Sequence, residues 1–416
     1  MPTTVLTLKT TAPRLLVGIG ALFFLAASFV CARWLVANAV ASSAQYKEIS
    51  EIAVSIAPSD PKTRLVHASL LEKTFFRDDL PRALSEYEHA VAAAPMDYAL
   101  WLELGRARAR IGDNDGAETA LRRSLALAPN YSRVIWNLGN FLLRRNQTDE
   151  AFRLIRSAAE GDPQFATPAV TNAWQVFDAD FTRVRELAGD SQNLKSAFAL
   201  FLSKQKRFDE SVEIWNSLPG DVRNAELKPI GDEIVREMIA AHRYRDAAAM
   251  SAGRFRVGAL ENPSFETKLT LQSPSDFEWR ILDGQQPQIL IDAGQKHDGA
   301  VGIVMFFTGS DASSFRSLAQ TVAVEPGKSY VLNGFVKTDL KASATVRWAV
   351  TNPADGKLVA ESDAVDAVAD WKEFSVPFQA PAGADGVVVS LKRAPCTSAC
   401  AITGKVWFDG FRLSEK

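Results

Sequence analysis

The chain has little with which to do chemistry. Its 416 residues include only three cysteines and four histidines, and these are scattered. A zinc framework needs paired ligands at short spacing, so this composition excludes one. No G-x-S-x-G, H-E-x-x-H or phosphate-loop pattern occurs. Asp363 and Asp366 fall in an apparent loop, and Asp209-Glu210 opens a helix, where acids complement the dipole. A glycosidase needs two carboxylates in a cleft, and neither pair follows a pattern that points to one. An excess of one charge is also missing: the net charge is -2, without the basic footprint that nucleic acid demands. The expectation is a non-catalytic chain that needs no cofactor. With 47% hydrophobic and 23% charged residues it is nevertheless an ordinary folded chain, long enough for about two or three domains.

What is present begins at the N-terminus. Residues 15–32 carry no charge, and Trp34, Leu35 and Val36 extend the apolar run beyond Arg33. As a helix, this stretch matches the ~30 Å hydrocarbon core of a bilayer. Arg33 can snorkel while Trp34 sits at the interface. Lys9 and Arg14 precede the run and favour an N-inside anchor, with 15–36 in the membrane of a single-pass inner-membrane protein. Ala37-Asn38-Ala39 is an A-x-A site, which keeps a cleaved, secreted form open. Both topologies put the bulk of the chain in a periplasm-like space. Cys396 and Cys400 suit that compartment as a small disulfide loop, with two buried thiols as the other reading.

Three prolines, Pro95, Pro129 and Pro163, stand 34 residues apart. Ala83, Ala117 and Ala151 keep that register, as do Ala90, Ser124 and Ala158, and the pairs Leu104-Gly105 and Leu138-Gly139. A fixed period with small residues at set positions marks stacked helical hairpins. Two antiparallel helices approach closely only where side chains are short, and proline stops the second helix. With Trp101 added, the pattern resembles the tetratricopeptide repeat, over 64–97, 98–131 and 132–165. His67, Leu71 and Ile135 depart from that pattern. A leading helix is expected over 44–57, and further helices near 166–178, 193–204, 208–217, 228–241 and 244–252 read as degenerate, capping repeats.

From about residue 257 the period changes to alternation. Strands are expected over 299–307, 317–324, 330–338, 344–352, 371–379, 386–392 and 405–413, an all-β sandwich or jelly roll. The ordered set of Glu261-Asn262-Pro263-Ser264-Phe265-Glu266, Lys296-His297-Asp298-Gly299, Pro326-Gly327-Lys328-Ser329-Tyr330, Gly334-Phe335-Val336-Lys337-Thr338 and Val406-Trp407-Phe408-Asp409-Gly410-Phe411 resembles the galactose-binding-like jelly roll of carbohydrate-binding modules. The expected organisation is therefore a multidomain α plus all-β chain: 1–42 tail and signal anchor, 43–255 helical solenoid, 256–416 sandwich.

The resemblance implies that Phe265, Trp371, Trp407 and Phe411 fill the core, and that Glu266 and Asp409 sit where a structural calcium binds in that family. A pair of solvated carboxylates is the other reading. Outside the core motifs, Trp279 with Arg280, and Trp348 with Arg347, are the candidates to stack on and hydrogen-bond a sugar, with a place in the core or under a loop as the other reading of each ring. Gln320 and Asn333 are secondary ones. Phe306 and Phe307 are adjacent, so one must face away from the core. In the repeats, register places Leu102, Arg106 and Arg110, then Trp136, Asn140 and Arg144, along a groove suited to a protein partner such as a helix or an acidic peptide, unless flanking helices fill it and the arginines form a solvated face. The reading is a membrane-anchored, periplasm-facing scaffold whose repeats recruit a protein and whose sandwich binds a polysaccharide, or else a pure assembly factor that binds no sugar.

Overall fold

A computed structural model describes residues 11–416 apart from 75, 77, 252, 273, 310–314, 343–344, 366–368 and 394–400. Cys396, Cys400 and Asp366 therefore lie outside the described residues. The chain divides into two compact units, residues 1–194 and 195–416.

The first unit is helical. It opens with α1 (Thr11–Ser43), α2 (Lys47–Ile56), α3 (Pro61–Glu72) and α4 (Asp79–Ala93). Asp60 caps α3 by accepting from the N–H groups of Lys62 and Thr63, and Pro61 occupies the first turn, where no N–H is needed. Two further hairpins follow: α5 (Tyr98–Ile111) with α6 (Asn114–Leu127), and α7 (Ser132–Arg144) with α8 (Thr148–Gly161). Each second helix stops one or two residues before Pro95, Pro129 or Pro163. All six small residues of the 34-residue register are buried, at 1% exposure or less.

The reason lies at the crossings. A Cβ on Gly105 would sit 2.7 Å from Leu121 Cγ, and one on Gly139 would sit 3.0 Å from Ile155 Cγ1. Leu100, Leu104, Leu121, Leu138 and Leu142 fill the space between hairpins, each worth about 1.5–3 kcal/mol of burial. His67, at the position where a tryptophan was expected, is buried, and its Nδ1 lies 2.8 Å from Ser50 Oγ of α2. The unit continues through α9 (Ala166–Val176) and α10 (Phe181–Ala188), the latter not foreseen from the sequence.

The second unit holds most of α11 (Gln192–Lys204), then α12 (Phe208–Asn216), α13 (Gly220–Asn224), α14 (Lys228–Ala240) and α15 (Tyr244–Met250), followed by the strands. These helices group with the strands in contact, whereas the sequence pattern groups them with the repeats. Asp385 explains the local part of that: its carboxylate accepts from the Tyr244 and Arg245 N–H groups at 3.0 and 3.3 Å, capping α15 from the sandwich.

The strands are β1 (Arg280–Ile281), β2 (Gln288–Asp292), β3 (Gly302–Thr308), β4 (Leu318–Ala323), β5 (Ser329–Thr338), β6 (Lys341–Ala342), β7 (Val346–Thr351), β8 (Leu358–Glu361), β9 (Lys372–Gln379), β10 (Gly386–Arg393) and β11 (Ile402–Glu415). Every ladder between them is antiparallel. One sheet runs β1-β4-β10-β7-β8, and the other β2-β3-β11-β5-β9, with β6 on the edge of β11. All seven expected strands form, and β1, β2, β6 and β8 add to them. The two inner faces enclose one core, with Trp279, Trp348, Phe265, Phe408 and Phe411 at its centre.

Candidate functional site

The sugar-contact residues chosen from sequence do not form a site. Trp279 and Trp348 are 2% and 0% exposed, with ring centres 5.9 Å apart. Phe374, Phe408 and Phe411 close around Trp348. Alternation along β7 turns Trp348 inward, so no ring face is left for a pyranose. Gln320 is also fully buried. Its amide exchanges two hydrogen bonds with the main chain of Glu261, pinning the segment that opens the sandwich. Arg280 and Arg347 are half-buried and ion-paired with Asp276 and Glu361.

A cluster of rings that reach solvent lies on the outer face of the six-stranded sheet. Tyr330, Leu332 and Val336 point inward from β5, which turns Asn333, Phe335 and Lys337 outward. His297 stacks on Phe335 with ring centres 3.5 Å apart and planes within 9°. Trp371 meets the exposed imidazole edge-on at 5.9 Å. Trp371 is half-buried on this shelf and not in the core, contrary to the expectation, because the inward positions of β9 are taken by Val376 and Phe378.

Polar groups surround the shelf. Glu373 lies opposite Phe335 in the ladder and is exposed, and Arg412 lies opposite Asn333 and is exposed. Asn333 Oδ1 has no hydrogen-bond partner among the described residues. Lys337 Nζ donates to Gln295 Oε1 at 3.0 Å. Farther along the same face, Trp407 turns outward between the inward Val406 and Phe408; it is buried, at 7% exposure, but outside the inter-sheet core expected for it. Its indole N–H donates to Asp292 Oδ2 at 2.8 Å. That bond, with the N–H groups of Gly294 and Gln295, holds the Asp292 carboxyl below its usual range. Of the adjacent pair, Phe307 is buried and Phe306 faces out, opposite Lys405. Half-buried rings bordered by amides, a carboxylate and cations are what sugar recognition requires chemically.

Glu266 and Asp409 converge on one loop, residues 297–301. Asp409 is fully buried. Its Oδ2 accepts from the His297 and Asp298 N–H groups at 2.7 and 3.1 Å, and its Oδ1 from Gly410 N–H at 2.7 Å. Burial pushes the carboxyl up, against these three donors. Glu266 Oε1 accepts from Ala300 and Val301 N–H at 2.8 and 3.2 Å. The amides supply what a calcium ion would, and no group of three or more His, Cys, Asp or Glu among the described residues is placed to hold a metal. Asp409 holds the His297 main chain beside Phe335, and Glu266 pins Ala300 and Val301 in the same loop. Asp409→Ala should strand the buried N–H groups and cost about 1–3 kcal/mol, whereas chelator should leave the melting temperature of the parent chain where it was. A drop with chelator would reverse this assignment.

The repeat groove is less charged than its sequence. Leu102 is buried, packed with Leu121, Val134 and Leu138. Arg106 pairs with Glu103 of its own helix at 2.6 Å, and Arg110 with Glu72 of α3. Trp136 is half-buried, stacked on Phe165 with centres 5.0 Å apart. Asn140 accepts from Asn172 Nδ2 at 2.9 Å, joining α7 to α9. Arg144 stays exposed, with no ion pair among the described residues. A row of free arginines for an acidic peptide is therefore not formed; a single cation beside an amide pair is.

Similarities to known proteins follow the same division. The tetratricopeptide repeat family model matches residues 75–132 and 104–164. No curated protein sequence matches the chain. Among solved structures, a family 4 carbohydrate-binding module is 18% identical, with 38% of this chain and 99% of that one covered at a TM-score of 0.29. The CBM22-1 xylan-binding domain of Paenibacillus barcinonensis Xyn10C is 16% identical, with 36% and 90% covered at 0.26. The structure of MamA is 15% identical, with 48% and 90% covered at 0.28. This chain thus carries tetratricopeptide repeats, succeeded by an antiparallel β-sandwich.

Proposed function

We propose that the protein is a membrane-anchored, periplasm-facing scaffold without catalytic activity. Its repeats recruit a protein, and its sandwich binds a glycan on the outer face of the six-stranded sheet, in the assembly of envelope or exported polysaccharide. The observation that carries the glycan reading is the shelf of Phe335, His297 and Trp371, bordered by Glu373, Arg412 and Asn333. A pyranose presents an apolar C–H face to such a ring and its hydroxyls to the surrounding polar groups. What supports the protein partner is the exposed Arg144, one turn beyond Asn140 on α7, beside the bonded amide pair of Asn140 and Asn172.

The test is affinity electrophoresis of the full chain in detergent through gels containing xylan, β-glucan or β-galactan. Retardation by one of them is expected. Trp371→Ala should weaken it by about tenfold, which is ~1.4 kcal/mol, without moving the melting temperature. No retardation by any polysaccharide, with capture of a protein by the same chain, would establish the assembly factor that binds no sugar.

A further inference from the structure

Helix α1 is longer than a membrane needs. It runs for 33 residues, Thr11–Ser43, or about 50 Å, against the ~20 residues that cross the hydrocarbon core. Its side chains from Leu15 to Val36 are almost all exposed. Burial begins abruptly at Ala37 (0%) and Ala41 (2%), where α1 packs against α2 and α3.

The contacts there are specific. Arg33 donates from Nε and a terminal nitrogen to the Ile56 carbonyl at 2.9 and 2.5 Å, closing an orphan acceptor at the end of α2. Asn38 Nδ2 donates to Asp60 Oδ2 at 3.0 Å, the same carboxylate that caps α3. Two residues of the Ala37-Asn38-Ala39 motif are thus built into the array. The motif itself is also mispresented. Residues two apart share a face only in extended backbone, and in a helix they diverge by about 200°. Ala37 is accordingly buried and Ala39 exposed.

We propose that α1 is retained as the first helix of the repeat array, and that it seats the α2–α3 turn on the lipid headgroups. This rests on the anchor reading above. Arg33 interrupts the apolar span near its end, and its guanidinium snorkels to the headgroup level. The Arg33–Ile56 bonds bring the end of α2 to that depth, and the exposed Pro58, Ser59 and Lys62 follow directly. Tyr46, at the other end of α2, lies about ten residues of helix, or ~15 Å, farther from the bilayer. No linker separates anchor from array, so membrane and groove are held in fixed relation.

The experiment uses the full chain with Cys31, Cys396 and Cys400 replaced by serine, in phosphatidylcholine nanodiscs that contain headgroup-spin-labelled phosphatidylcholine. A fluorophore at Ser59→Cys is expected to lose most of its emission, and one at Tyr46→Cys to keep most of it. Intact mass of the membrane-derived chain should include residues upstream of Ala37. A mature start at Val40, or equal quenching at the two sites, overturns this proposal and leaves membrane attachment standing or not on other grounds. Release of the chain from membranes by alkaline carbonate overturns the anchor reading and this proposal with it.

Discussion

Trp348→Ala is expected to melt the sandwich at a temperature about 10 °C below the parent. The ring is fully buried, with the centres of Phe411, Phe408 and Trp279 at 4.8, 5.3 and 5.9 Å. Removing a buried aromatic costs about 3–5 kcal/mol, because the cavity relaxes only in part, and a domain of this size loses about 2–4 °C per kcal/mol. Trp348→Phe should cost far less. The indole N–H has no hydrogen-bond partner among the described residues, so phenylalanine forfeits no bond there. The pair of variants also separates core from site. Glycan retention should fall with Trp348→Ala only as the fold is lost, and with Trp371→Ala while the fold persists. A Trp348→Ala chain of parental melting temperature that fails to bind would return Trp348 to the ligand surface.

Gly105→Val is the second large effect, and it acts on the other unit. Any Cβ at this position meets Leu121 Cγ at 2.7 Å and, more seriously, the Leu121 main-chain nitrogen at 3.1 Å. A side chain can turn aside; a helix backbone cannot without widening the α5–α6 crossing. Valine adds two more carbons to that contact. Overpacking of this kind costs about 1–3 kcal/mol, and more where backbone must move. Because each hairpin is buried only against its neighbours, the loss should spread to the adjacent repeats. Hydrogen exchange should therefore quicken in α3–α4 and α7–α8 as well as in α5–α6, with a lower melting temperature for the array. Unchanged exchange outside α5–α6 would show that the repeats are uncoupled.

How much of this was readable beforehand depends on the kind of signal. The 34-residue register survives because a close helix crossing tolerates only glycine, alanine or serine, so Gly105, Ala117 and Ser124 announce themselves locally. The strands announce themselves likewise, since one-sided burial forces alternation; β5 follows it from Tyr330 to Thr338. Short elements such as α10, β1 and β8 carried too few residues to show a period. Which tryptophans reach solvent was not legible for a different reason. Trp279, Trp348 and Trp371 are the same residue type, each flanked by a charged neighbour, and their opposite fates turn on strand parity and on which loop lies across which sheet. Phe335 and Val336 are both apolar, so alternation alone left the parity of β5 ambiguous at that point.

The sequence alone determined the local, periodic features: an apolar helix at the N-terminus, hairpins at a 34-residue pitch, and short alternating strands, because each is enforced by contacts between residues near in sequence or by a repeated packing rule. Only the tertiary structure decided which rings face solvent, that Asp409 holds His297 against Phe335, and that Asn38 reaches Asp60. Those pairings join residues 112, 38 and 22 positions apart. No local period encodes a contact over such distances, because it forms only once the sheets and helices have closed around it.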